Sequence, residues 1–112
     1  MTTQELVNKA IIHGQRGNFS KAIKYLKKAH NKIPENLQIL YNLGFAYQNS
    51  GHFDKALKIY NRILAVDQNK IEIYLNIGQI YQSYKEFNKS IQIYNKALKI
   101  NAKSEEVYNN LG

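Results

Sequence analysis

The chain contains no cysteine, which excludes disulfides, thiolate metal sites and a cysteine nucleophile. That is compatible with a reducing compartment. A single proline and six glycines in 112 residues argue against an all-β fold built on many tight turns. No apolar run approaches the roughly 20 residues of a membrane span. The opening MTTQELVNKA has neither the basic n-region nor the apolar core of a signal peptide, so a cytoplasmic location is expected. Acidic residues are scarce as well, eight against sixteen Lys and Arg, for a formal net charge of +8. Such a charge raises the question of nucleic acid. Yet arginine is nearly missing: Arg16 and Arg62 stand beside 14 lysines, 14 asparagines and 14 isoleucines. Lys, Asn and Ile together mark an AT-rich coding sequence, so part of the charge follows genome bias rather than a ligand.

What is present is a folded composition, 44% hydrophobic, with a strict internal period. Gly44, Gly78 and Gly112 are 34 residues apart, as are Phe19, Phe53 and Phe87. Asn8, Asn42, Asn76 and Asn110 keep the same step, as do Lys21, Lys55 and Lys89. Tyr47 pairs with Tyr81 and Tyr60 with Tyr94, while Ala22, Ala56 and Ser90 form a small-residue column. Similar composition alone would not fix this phase.

Each unit reads as two helices. In the second unit they run from about Asn36 to Asn49 and from about Phe53 to Val66, with Gly51 breaking the chain between them. Gly17 does the same in the first unit. Lys85 replaces that glycine in the third, which predicts a less relaxed turn. Thr2 and Glu5 have capping-box spacing, and Ser104 with Glu105 and Glu106 marks another helix start. Gly44 costs its helix about 1 kcal/mol relative to alanine. Gly44 facing Ala56, and Gly78 facing Ser90, would offset that cost by close approach of two backbones. Tyr47, Tyr60, Tyr81 and Tyr94 are expected to pack between neighbouring hairpins, since one hairpin cannot bury its apolar face alone.

The 34-residue unit YNLGFAYQNSGHFDKALKIYNRIL resembles the tetratricopeptide repeat (TPR). The resemblance covers the whole chain: repeats at 3–36, 37–70 and 71–104, then a partial fourth repeat or C-terminal helix at 105–112. Leu43, Gly44, Tyr47, Ala56 and Tyr60 fall on the signature columns, as do Ile77, Gly78, Tyr81, Ser90, Tyr94 and Ala97. The first repeat departs most, with Lys9, Ala10 and His13. Pro34 fills the connector-proline position, where the later units have Gln68 and Ala102. The resemblance implies an all-α fold of about seven helices, a right-handed superhelical solenoid of antiparallel helix-turn-helix hairpins. First helices would line its concave side.

That geometry implies a groove for an extended peptide or helix, lined by Asn8, Gln38, Tyr41, Asn42, Phe45, Asn49, Glu72, Leu75, Asn76, Gln79 and Asn110, with Gln4, Val7, Ile11 and Gln15 beside them. A carboxamide both donates and accepts, so the asparagine column can hold a peptide backbone whatever its side chains; helix capping or bridging is the alternative for that column. Tyr41, Phe45 and Leu75 would supply apolar contact, with packing between repeats as the alternative for Phe45 and Tyr41. The dicarboxylate clamp of chaperone-binding TPR domains wants Lys and Asn on the first repeat, Asn on the second, and Lys and Arg on the third. Val7, Ile11, Asn42, Glu72 and Asn76 stand there, which argues against that mode. A structural role is the competing expectation, in which units stack end to end in a homo-oligomer or longer array through the C-terminal helix that SEEVYNNLG begins.

The lysines fall mainly on second helices and connectors and read as a solvated face. Weak binding of RNA or an acidic surface is the alternative, without aromatic interleaving for base stacking. His13, His30 and His52 have no spacing that gathers them on a metal, the acids are scattered, and no glycine loop could cradle phosphate. No enzymatic activity, cofactor or metal is therefore expected.

Overall fold

The computed structural model describes residues 1–111; Gly112, the last member of the glycine column, lies outside them. Among the described residues there are seven helices and no strand: α1 (Thr3–Gln15), α2 (Phe19–Lys32), α3 (Leu37–Asn49), α4 (Phe53–Val66), α5 (Ile71–Ser83), α6 (Phe87–Ile100) and α7 (Glu105–Leu111). They form two compact units, residues 1–63 and the described residues from 64 on.

The helix starts follow the local sequence. Glu5 N–H donates to Thr2 Oγ1 (3.1 Å) and Thr2 N–H to Glu5 Oε1 (3.3 Å), the reciprocal capping box. Asn36 Oδ1 accepts from Ile39 N–H at 3.0 Å and Ser104 Oγ from Val107 N–H at 3.3 Å.

The turn inside each hairpin is one motif used three times. His52 N–H reaches back to Tyr47 O (2.8 Å) and Gly51 N–H to Gln48 O (3.1 Å). Asn18 and Gly17 do the same to His13 and Gly14, and Glu86 and Lys85 to Tyr81 and Gln82. This Schellman arrangement needs a left-handed residue after the helix. Gly17 and Gly51 supply it at φ 77° and 82°, and Lys85 is held there at φ 61°, where a side chain is disfavoured.

In the first unit α1 packs on α2 and α2 on α3, with Leu6, Ala29 and Ile39 buried together beneath Val7 and Tyr25. α3 and α4 are locked differently. A Cβ on Gly44 would lie 2.7 Å from Tyr60 Cε1, so the fully buried Tyr60 ring occupies the space that any other residue's side chain would need. The ring's hydroxyl donates to Gln48 Oε1 at 2.7 Å. In the second unit, a Cβ on Gly78 would lie 2.4 Å from Tyr94 Cε1. There Tyr94 Oη donates to Gln82 Oε1 at 3.2 Å, and Ser90 Oγ donates to Gly78 O at 3.0 Å.

The glycines therefore meet tyrosine rings of the opposite helix in their own hairpin. The expected small-residue pairing is kept where Ser90 meets Gly78, and the tyrosine rings, expected between neighbouring hairpins, fill the space beside the glycines inside a hairpin; Tyr94 also meets Val107 of the next helix, as expected. Burial pushes the Tyr94 phenol up, partly opposed by the neighbouring Ser90 hydroxyl. A raised native value means that this contribution is complete below the ordinary tyrosine range near ~10 and is lost as pH rises through the native value.

The second unit's core joins Leu75, Tyr94, Ala97 and Val107, flanked by Ile71, Tyr74, Leu98 and Leu111. Its two connectors lack proline and are tied by other means. Tyr74 Oη donates to Gln68 O (2.8 Å) and Tyr108 Oη to Ala102 O (3.0 Å), while Asp67 and Asn101 side chains accept from the backbone N–H two residues on. In the first unit, where Pro34 fixes the connector, the matching position is Leu40 rather than tyrosine.

Two stability predictions follow from these contacts. Gly44→Ala should lower stability by about 1–3 kcal/mol through overpacking. Adding Tyr60→Leu should recover part of that loss, because Ala10 with Leu26 is the pair the first hairpin already uses; chemical denaturation of the three proteins measures both effects. Lys85→Gly should raise stability by about 0.5–1 kcal/mol, since glycine relieves the left-handed backbone and loses somewhat more chain entropy. A higher thermal midpoint is the expected readout.

Candidate functional site

A concavity lies in the first unit, where α1 and α3 are both first helices of their hairpins. Two cavities open on this face. One, of about 290 Å³, is lined by Ala10, Ile11, Gly14, Gln15, Phe19, Ala22, Leu26, Asn42, Phe45, Ala46 and Asn49. The other, of about 490 Å³, is lined by Thr3, Gln4, Val7, Ile11, Ile33, Asn36, Gln38, Ile39 and Asn42. Ile11 and Asn42 line both. Neither lining contains an ionisable side chain, so recognition here rests on apolar burial and amide hydrogen bonds.

The residues expected to face a groove divide by unit and by depth. Asn42 is half-buried where the two cavities meet. Phe45 is 42% exposed and stacks on Tyr41, ring centres 6.1 Å apart at 14°. Gln38 and Asn49 are exposed, one in each lining. Asn8 is exposed and lines neither cavity; its Oδ1 accepts from Gln4 Nε2 at 2.9 Å within α1.

In the second unit Glu72 and Gln79 are exposed on α5. Leu75 does not face a groove: it is 3% exposed and belongs to the core with Tyr94 and Val107, because α7 covers that side of α5. Asn76 is also buried, at 9%. Asn110 is half-buried, its carbonyl accepting from Gln82 Nε2 at 3.1 Å.

Several lining residues are not marked by the groove reading of the sequence: Ala10, Gly14, Phe19, Ala22, Leu26 and Ala46. A signal for three of them is present in the repeat columns. Ala10, Gly14 and Leu26 stand where the second hairpin has Gly44, Gln48 and Tyr60, and the third Gly78, Gln82 and Tyr94. The interlocking trio is thus absent from the first hairpin, and the smaller cavity lies among its replacements.

Charge is unevenly shared. Residues 1–63 hold 10 of the 16 Lys and Arg and 3 of the 8 acids, net +7, leaving 6 and 5, net +1, for residues 64–112. Some lysines sit over tyrosine rings: Lys27 and Lys55 at 6.0 and 5.6 Å from Tyr47, and Lys89 at 5.7 Å from Tyr81. Among the described residues no group of three or more His, Asp or Glu could hold a metal, and no helix is long and apolar enough to cross a membrane.

Comparison with known proteins places this geometry. The chain is similar to the first TPR of Spaghetti (RPAP3) bound to HSP90 peptide SRMEEVD, at 20% identity and TM-score 0.84, over 97% of this chain and 86% of that one. The Sgt2 TPR domain from Aspergillus fumigatus matches at 22% identity and TM-score 0.83, over 97% and 74%. A tetratricopeptide repeat protein from Parabacteroides merdae matches at 28% identity and TM-score 0.87; the alignment spans 97% of this chain but 44% of that protein. A search of curated protein sequences returns no match. Family models described as tetratricopeptide repeat match residues 15–75, more than half the chain, and residues 71–104. With seven helices among its described residues and its 34-residue columns, the chain belongs to the tetratricopeptide repeat family.

Proposed function

We propose that this protein is a peptide-binding interaction module and that the α1/α3 face of its first unit receives an extended segment of a partner protein. The family and fold are those of protein-interaction modules. The observation that carries the finer reading is Asn42, an amide placed between two cavities with no ionisable lining. An extended strand alternates its side chains along the backbone. Seated over Asn42, such a strand would offer its N–H and C=O to the carboxamide, while its side chains entered the cavities on either side. Gln38 and Asn49 at the two ends, and Phe45 stacked on Tyr41, would supply further polar and apolar contact.

A clamp for an acidic peptide such as the SRMEEVD bound by Spaghetti is not favoured for this chain. Val7 and Ile11, at the first-repeat positions of the dicarboxylate clamp, line the larger cavity instead. A peptide carboxylate placed there would lose its water shell without gaining a cation.

Peptides selected on the full chain from a random displayed library test the reading. Asn42→Ala should weaken them at least tenfold, about 1.4 kcal/mol, with the thermal midpoint little changed because Asn42 is only half-buried. Equal affinity for wild type and Asn42→Ala would remove the reading.

A further inference from the structure

The smaller cavity is explained by comparing the chain with itself. In the second hairpin Tyr60 lies against Gly44 and its hydroxyl meets the Gln48 amide. In the third, Tyr94, Gly78 and Gln82 repeat that arrangement. The first hairpin has Leu26, Ala10 and Gly14 at the same columns. Leucine is shorter than tyrosine and carries no hydroxyl, and glycine lacks the amide arm. A Cβ built on Gly14 meets nothing within 4 Å, so the space is open where the other hairpins are filled.

We propose that this space is a pocket for a single aromatic side chain of an acidic peptide, which completes in trans the plug that Tyr60 and Tyr94 make in cis. The inference rests on the groove reading above and adds to it the chemistry of the ligand. Size supports one side chain: about 290 Å³ is at the lower edge of the roughly 300–1,000 Å³ of small-molecule sites. Lining chemistry supports an aromatic. Phe19, Phe45, Leu26 and Ile11 supply apolar walls, and Gln15 and Asn49 supply amides for a phenolic hydroxyl, the pairing that Gln48 already makes with Tyr60. Charge supports acidic flanks. The lining is neutral and the lysines fall mainly on second helices and connectors, but the unit that bears it carries net +7, which at long range steers an anionic segment toward this unit and makes binding sensitive to salt.

Two probes on the full chain test this: p-cresol, the tyrosine side chain alone, followed by NMR, and the library-selected peptides. The decisive variant is Gly14→Gln with Leu26→Tyr, which installs the plug. If it does not fold, Gly14→Gln alone, placed in open space, serves. The expected result is saturable p-cresol shifts at Phe19, Phe45 and Ala46 that vanish in the plugged variant. The selected peptides should share an aromatic residue among acids, bind at least tenfold more weakly to the plugged variant, and weaken as salt is raised. Peptides that lack an aromatic, or that bind the plugged variant as tightly as wild type, overturn the pocket; their continued sensitivity to Asn42→Ala would leave the groove reading standing. Failure to select any peptide removes both. Concentration-dependent self-association abolished by the plug would assign the pocket to a second copy of this chain, and also overturns the proposal.

Discussion

A tyrosine ring laid on a glycine of the facing helix is the contact on which the hairpins at residues 37–66 and 71–100 depend. It explains why two helices carry glycine in mid-course despite a cost of about 1 kcal/mol each. Any larger residue at Gly44 or Gly78 would stand within 3 Å of the ring. Full burial of an aromatic side chain contributes roughly 2–3 kcal/mol, and its hydroxyl bond to glutamine about 1 kcal/mol more. The gain from ring burial exceeds the glycine cost, and the amide adds to it. The three positions act as one unit.

The first hairpin is the exception among the three. It holds together with Ala10 and Leu26, a smaller pair, and gives up the amide arm at Gly14. The same substitutions open a cavity beside Asn42 and Phe45 on the α1/α3 face. On the proposed reading, binding capacity and loss of an internal lock are two aspects of one local change. A similar exchange occurs in the connectors, where a proline in one is replaced in the other two by a tyrosine hydroxyl and an Asx turn. In both cases one physical requirement, filled space or a fixed loop, is met by different residues in different repeats.

Much of the fold was legible in the sequence because it depends on local rules. Helix boundaries, the Thr2–Glu5 capping box, the Ser104 cap and the left-handed strain at Lys85 follow from neighbouring residues and the 34-residue phase. The partner of Gly44 was not legible. A period aligns equivalent positions but does not say which column faces which across a hairpin, and the sequence reading set small residue against small residue. Leu75 shows a second limit. It shares a column with Tyr41, so the groove reading treated them alike; yet Leu75 is buried by α7 while Tyr41 stays half-buried. Burial depends on what covers a helix, which the residue's own column does not record. The pocket left a signal, the break in three columns at Ala10, Gly14 and Leu26, whose meaning needed the Tyr60–Gln48 contact to be seen first.

The most direct test of the central contact is a nuclear Overhauser spectrum of the labelled chain in solution. Strong cross-peaks are expected from the Gly44 Hα protons to the Tyr60 ring and from the Gly78 Hα protons to the Tyr94 ring, with slow flipping of both rings. Absent cross-peaks together with fast-flipping rings would contradict the account, and with it the explanation of why the first hairpin is open.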